Sequence, residues 1–560
     1  MTLTRGSVNT ACHLIESCRN FYQLKVDLGD LKINHTEMHK PLFILFLGSL
    51  FCAAQIFAAD TNKHIVVLVW DGMRPDFISK EHTPALWQLA QNGVMFANHH
   101  PVYPSSTEVN GTAIATGAYP QDSTIIGNRE YRPEINPLQP VDTQEWDTIH
   151  QGDAVSHGHF LLRSTVAETL QAAGLTTIIA GTKPVAQLHD RRDRAADYRN
   201  GILLANGTVL PASLQSVIES ALGKFPKAES GDSTLPNEAR DAWTTRALTT
   251  VLWSNTVPNF SLLWLSDPDF SQHPTSPGSV KSLAALESVD RKLATVLAEL
   301  DRRQLRDKTD VFVVSDHGFS TINRNVDIAA ELRNAGFPAQ RNFKENPKQG
   351  DILVNGLGGS VMIYVIGHDS TTVGKIAAFF QKQDYTGVIF TQKKLAGTFD
   401  FKNVNIASPE APDLAVSLRW SSGTNQFGAP GLVIADSSIK TVRGGTHASL
   451  SHFDMHNTLV GAGPDLKKGF INTYPTGNTD LAPTILWLLG VKPQGTPDGR
   501  VLSEALTVKV PKVSKPAIKR IETGNKIDDT IWTQYLQISR VNNTVYFDEG
   551  NGTVQLNTGH

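Results

Sequence analysis

At 560 residues the chain is too long for one simple core, and it reads as a large domain with insertions or as several domains. Lys+Arg 51 against Asp+Glu 54 leaves a net charge of −3, no field of one sign, so nucleic-acid duplex binding is not expected. The apolar fraction of 40% is that of an ordinary globular protein; Cys12, Cys18 and Cys52 all precede residue 60, so any metal beyond them must be held by His, Asp or Glu.

The first 37 residues resemble no targeting element. From Met38, "MHKPLFILFLGSLFCAAQIFAAD" supplies a short basic region, an apolar run over Pro41 to Ala59 and small residues before Asp60. That is the pattern of a signal peptide, with translation starting at Met38, and it predicts an exported, periplasmic or secreted protein. An uncleaved anchor is the alternative, since the run is just long enough to span a bilayer.

From residue 62 strands and helices alternate. "HIVVLVWDG" is a continuous apolar run, expected as a strand buried on both faces and ending at Asp71-Gly72. "TPALWQLAQNG" predicts a helix with Thr83 as N-cap, Pro84 first and Gly93 as stop. "STVAETLQAAG" and "LTTIIAG" form a helix–strand pair, and "NFSLLWLSDPD" is a strand running into acidic residues. Apolar residues recur at helical spacing from Val280 to Leu300, and "TDVFVVSDHG" is a buried strand ending in Asp316-His317-Gly318.

A polar, Arg/His-rich stretch over about Arg129 to Ala205 interrupts this alternation, as does a segment over about 321–440 with its own strand–helix–strand pattern, expected as an inserted cap. "TDLAPTILWLLGV" predicts a core helix capped by Thr479 or Asp480. The division expected is residues 1–59 as extension and signal, 60–508 as the main domain, and 509–560 as a linker and β-hairpin turning at Asn542-Asn543.

Three expected strands thus end in acidic or acid–histidine pairs, the edge where parallel α/β sheets build sites. Asp71, Asp269 with His273, Asp316 with His317, and His447 in "GGTHASLS" offer three carboxylates and three imidazoles. Zinc favours such a mixed set, and six ligands suit two ions with open positions. Pro268, Pro274 and Pro277 predict a loop, not a helix, around Asp269 and His273. Asp267 competes with Asp269, and His452 and His456 compete with His447. Lys183, His189 and Arg191 in "GTKPVAQLHDR" are expected on a solvated loop, and Asn110 in a structural role.

The ordered set "VLVWDGMRPD", "YPSSTEVNGTAIATGAYPQDSTIIGN", "DPDFSQH", "VVSDHGFS", "GTHAS" and "DLAPTILWLLGV…PDGRVL" resembles the type I phosphodiesterase / nucleotide pyrophosphatase branch of the alkaline phosphatase superfamily over about Ile65 to Leu506. The resemblance implies an α/β fold: a three-layer αβα sandwich with a mainly parallel central sheet, the inserted cap and the small C-terminal hairpin. It implies two zinc ions, one held by Asp71, Asp316 and His317 with Thr107 as fourth contact, the other by Asp269, His273 and His447. It makes Thr107 the nucleophile ahead of Ser105 and Ser106, and Asn128, 21 residues on, the residue that hydrogen-bonds a phosphoryl oxygen.

The implied activity is hydrolysis of a small phosphodiester or pyrophosphate, with phosphonoacetate-hydrolase-like or phosphomonoesterase activity as alternatives. A metal-binding surface protein without turnover is the alternative of another class. One departure bears on substrate: Glu108 stands where the family commonly carries an aromatic residue that stacks a base. No C-x-P-x-R sulfatase signature follows the signal segment, and no Arg adjoins Thr107.

Overall fold

A computed structural model describes residues 60–191, 200–227, 235–438, 444–508 and 513–556. The expected extension and signal segment, with all three cysteines, lies outside them. Among the described residues no helix is long and apolar enough to cross a membrane.

A nine-stranded sheet forms the centre, in the order Phe470–Asn472, Val94–Phe96, Leu459–Ala462, Thr309–Val314, His64–Trp70, Phe260–Leu265, Thr177–Gly181, Gly201–Ala205 and Thr208–Leu210. His64–Trp70 runs parallel to both neighbours, and Thr177–Gly181 continues the parallel run beside Phe260–Leu265. The continuous apolar runs have their reason here, because alternate side chains enter different cores. Ile65, Val67 and Val69 pack with the helices Thr107–Thr116, Val166–Ala172 and Leu481–Leu488. Val66, Leu68 and Trp70 face the other way, toward Pro84–Asn92, Glu238–Arg246 and Val280–Arg302. This is the three-layer αβα arrangement.

Register places the site. Val69 stands opposite Val314, Trp70 opposite Leu265, and Gly181 opposite Trp264. The four chains therefore leave the sheet at one edge, carrying Asp71, Asp316, Asp269 and Lys183 with them.

Some local expectations change. Thr83 occupies the N-cap position, but its hydroxyl bonds the Ser79 backbone. The helix start is capped from a distant helix, by the Asp290 carboxylate accepting from the Ala85 and Leu86 amides. The loop expected at Asp269 is a short helix, Asp269–Thr275. Pro268 sits at its N-cap, where no N–H is needed, and only Pro274 removes an interior bond. Asp480 does not cap the last core helix with its side chain; its carboxylate accepts from Gly477 and Arg500 amides.

Residues 339–418 contain a separate six-stranded sheet, covered by the helices Ile328–Asn334 and Ser370–Phe380. At the C-terminus the expected hairpin, Thr530–Val541 with Thr544–Leu556, gains a third antiparallel strand, Ala517–Ile527.

Candidate metal and nucleophile site

Asp71 leaves its strand into a tight turn at Gly72, whose φ of 71° suits glycine and whose amide donates to Asp316 Oδ1 at 3.0 Å. Asp71 Oδ2 accepts from Trp264 Nε1 at 2.9 Å, and the Asp71 carbonyl accepts from the Asp269 amide. On the short helix, His273 follows Asp269 by one turn, with Nε2 3.3 Å from Asp269 Oδ1. His447 arrives from the strand Gly445–Thr446, which pairs with Ser320–Thr321 just after His317.

The three imidazoles share one device. Nδ1 of His273, His317 and His447 lies 3.0, 2.8 and 2.8 Å from the carbonyls of Gly445, Gly318 and Ser105. A carbonyl only accepts, so each Nδ1 carries a proton; Nε2 of His317 and His447 is left with a lone pair for the centre, while Asp269 beside Nε2 of His273 raises that imidazole despite its burial. His317 and His447 stack at 3.7 Å. Burial and His317 push His447 well below its usual range, and burial lowers His317 despite Asp71 beside it. Both are therefore neutral and able to ligate.

Ligand atoms gather in two compact groups, Asp71–Asp316–His317 and Asp269–His317–His447. His317 joins both, and His273 stands beside the second through Asp269. Asp71 Oδ1, Asp269 Oδ1 and Asp316 Oδ2 are buried without a hydrogen-bond partner. Partnerless carboxylate oxygens facing imidazole nitrogens suit a divalent cation, since an unpaired buried carboxylate is costly. Burial and Asp316 push Asp71 well up, and burial pushes Asp316 up to about 7. Asp269 goes the other way: Lys183 and His273 outweigh its burial and hold it well below the carboxylate range.

Thr107 is the first residue of the helix Thr107–Thr116, with Ser106 at the N-cap. Its Oγ1 lies 3.2 Å from His317 Nε2. Asn128 Oδ1 accepts from the Glu108 amide at 3.1 Å, which orients the side chain at the helix start. Asn110 spends its amide on Val102, Pro104 and Ser106 and shapes the loop. Asp267 turns away, accepting from Ser271, and His456 bonds Asn98 beside His100 and His452.

Lys183 is the residue that sequence reasoning misplaced. It is not on a solvated loop: Nζ lies 2.8 Å from Asp71 Oδ2 and 3.1 Å from Asp269 Oδ2. Its signal was present, as a lysine two residues past a buried strand, but the neighbour of that strand was not. Glu108 is also buried, at 2% exposure, with Lys183 and Asp142 in electrostatic range.

The fold and this carboxylate–imidazole–threonine site define an alkaline-phosphatase-like α/β class. Residues 65–420 match the family described as Type I phosphodiesterase / nucleotide pyrophosphatase, and the chain belongs to that family. Relatives include the bis(5'-adenosyl)-triphosphatase of Xenopus laevis, 23% identical over 50% of this chain and 52% of its own. The ectonucleotide pyrophosphatase/phosphodiesterase family member 1 of Mus musculus is 24% identical over 44% of this chain and 23% of its own. The chain thus spans about half the length of the first relative and less of the second. Among solved structures, murine ectonucleotide pyrophosphatase/phosphodiesterase 5 superposes with a TM-score of 0.55 at 18% identity, covering 80% of this chain and 100% of that one. A second structure of that murine protein is an inactive threonine-to-alanine variant in complex with AMP.

Proposed function

We propose that the protein is an exported hydrolase of small phosphodiesters or pyrophosphates, using two zinc ions and Thr107 as nucleophile. One observation carries this reading: three buried carboxylates with partnerless oxygens gather with His317 and His447, and the Thr107 hydroxyl lies 3.2 Å from Nε2 of His317. Asp71, Asp316 and His317 with Thr107 would hold one ion and Asp269, His273 and His447 the other; bound there, zinc activates a hydroxyl and neutralises developing charge.

Thr107 Oγ1 gives up its proton and attacks phosphorus, the P–O bond to the leaving group breaks, the leaving oxygen takes up a proton, and a phosphothreonine forms. Water then attacks the same phosphorus, the P–O bond to Thr107 breaks, and a proton from the water restores the Thr107 hydroxyl. Two in-line displacements give net retention. Asn128, held through Oδ1 by the Glu108 amide, has its Nδ2 donors for a non-bridging oxygen. The helix starting at Thr107 directs its N-terminal amides toward the phosphoryl charge. The inactive threonine variant of the murine relative supports a threonine in this role.

Glu108 steers the substrate away from plain nucleotides, because a glutamate beside the nucleophile offers no ring to stack a base. The substrate is then one other than a plain nucleoside polyphosphate, with a cationic or polar leaving group.

The test is zinc per chain and hydrolysis rates of the purified protein on a phosphodiester, a phosphomonoester and phosphonoacetate. Two zinc ions and a dominant diester rate are expected. A dominant phosphonoacetate or monoester rate replaces the substrate assignment, and zinc without turnover leaves a metal-binding surface protein.

A further inference from the structure

Lys183 has no task in the scheme above, and the Glu108 carboxyl has none in its chemical steps. Lys183 lies within 3.1 Å of carboxylate oxygens on both Asp71 and Asp269, which belong to different ligand groups. One ammonium therefore spans both halves of the centre. The Lys183 side chain is 21% exposed, against 0% and 5% for the two aspartates, so of these three it lies nearest solvent. Next to Thr107, Glu108 Oε2 is buried with no hydrogen-bond partner. Asp142 adds a second carboxylate within range of both Glu108 and Lys183.

Lys183 holds Oδ2 of Asp71 and of Asp269, and the partnerless Oδ1 atoms face the imidazoles; an ammonium and a divalent cation on the two oxygens of the same buried carboxylates repel strongly. Lysine carries its charge on a flexible four-carbon stem and can move it. A buried carboxylate oxygen without a donor is costly, and a nearby ammonium would satisfy it.

We propose that Lys183 is an exchangeable counter-cation of the metal centre, and that Glu108 receives its ammonium when divalent metal takes Asp71 and Asp269. The inference rests on the two-metal reading of the same site. It gives Glu108 a positioning role: holding Lys183 clear of the ligands. Lys183 then sets how tightly metal binds, and Glu108 sets how readily Lys183 yields.

The experiment is a zinc titration of the chelator-stripped full chain, by calorimetry and by tryptophan fluorescence, since Trp264 donates to Asp71 Oδ2. Lys183→Met should bind zinc about tenfold tighter or more than wild type, as expected when a buried competing charge is removed. Glu108→Gln should bind about tenfold more weakly, because Lys183 loses its acceptor. In the Lys183→Met background the same Glu108 change should matter by less than about twofold, a coupling that a merely structural role does not produce. Lys183→Gln stands in if the methionine variant does not fold. Unchanged or weaker zinc binding by the Lys183 variants, or a Glu108 effect of equal size in both backgrounds, overturns the exchange alone. A wild-type chain that takes up no divalent metal overturns the two-metal reading, and the exchange with it.

Discussion

Five hydroxyls crowd the stretch from Ser105 to Thr116, and hydrogen bonding separates them. Ser105 donates to the Ser449 carbonyl and Thr116 to the Thr112 carbonyl. Ser106 Oγ and Thr112 Oγ1 are buried without partners. Thr107 alone of the five faces an imidazole nitrogen of the centre. Thr107→Ala should keep its zinc, measured by atomic emission, and lose turnover by roughly 10³-fold or more. Full activity in that variant would overturn the mechanism. Glu108→Phe should raise the rate on a nucleotide phosphodiester relative to wild type; a wild type that already prefers nucleotides strongly contradicts the substrate assignment. At this scale the four-residue spacing of Asp269 and His273 was legible. The competing Asp267 was separated only by tertiary partners, because Ser271 and Asp241 surround it.

At the scale of elements, close approach matters more than propensity. The nucleophile helix packs on the 3₁₀ turn Pro184–His189 through Gly111, where a Cβ would lie 2.7 Å from Val185 Cγ2 and 3.1 Å from the Trp264 ring. Gly111→Val should therefore destabilise by about 1–3 kcal/mol, read in a urea melt. It should also shift zinc affinity, since Lys183 begins that turn. On the strand Thr309–Val314, burial and the neighbouring Asp465 push the Asp310 carboxyl up to about 8. A folded pKa above the unfolded value means stability is fully present below about pH 4 and is lost as pH rises through 8. Asp310→Asn keeps the oxygen that accepts the Asp465 amide at 3.2 Å and removes the titration. Relative to wild type, its melting temperature should gain steadily from pH 4 to pH 8; a constant difference across that range refutes the shift.

For the whole molecule, the C-terminal three-stranded sheet is tied to preceding elements by specific polar contacts. Tyr546 donates to Asp480 Oδ2 at 2.8 Å and accepts from Arg500 Nε at 2.9 Å. The Tyr119 hydroxyl donates to the Val545 carbonyl, and Trp532 Nε1 to the Gly397 carbonyl. Asp480 opens the last core helix, so the sheet braces an element packed against the nucleophile helix. Tyr546→Phe leaves Arg500 Nε and Asp480 each short of a partner and should lower stability by about 1–3 kcal/mol in thermal melts.

The sequence by itself determined the buried strands, most helices, the order of the motifs and the acidic strand ends. These are local signals: apolar runs, caps and prolines act on their immediate neighbours. Asp71, Asp316 and His317 could be named as candidates because they directly follow such runs. Only the tertiary structure decided that Lys183 joins them, since its strand pairs with one that lies 83 residues later, Thr177 opposite Phe260. It likewise buried Glu108, on its helix, within electrostatic range of Lys183, and supplied Asp290 as the cap of a helix far from it in sequence. Sheet order and register are set by the whole core at once, and no single segment carries them.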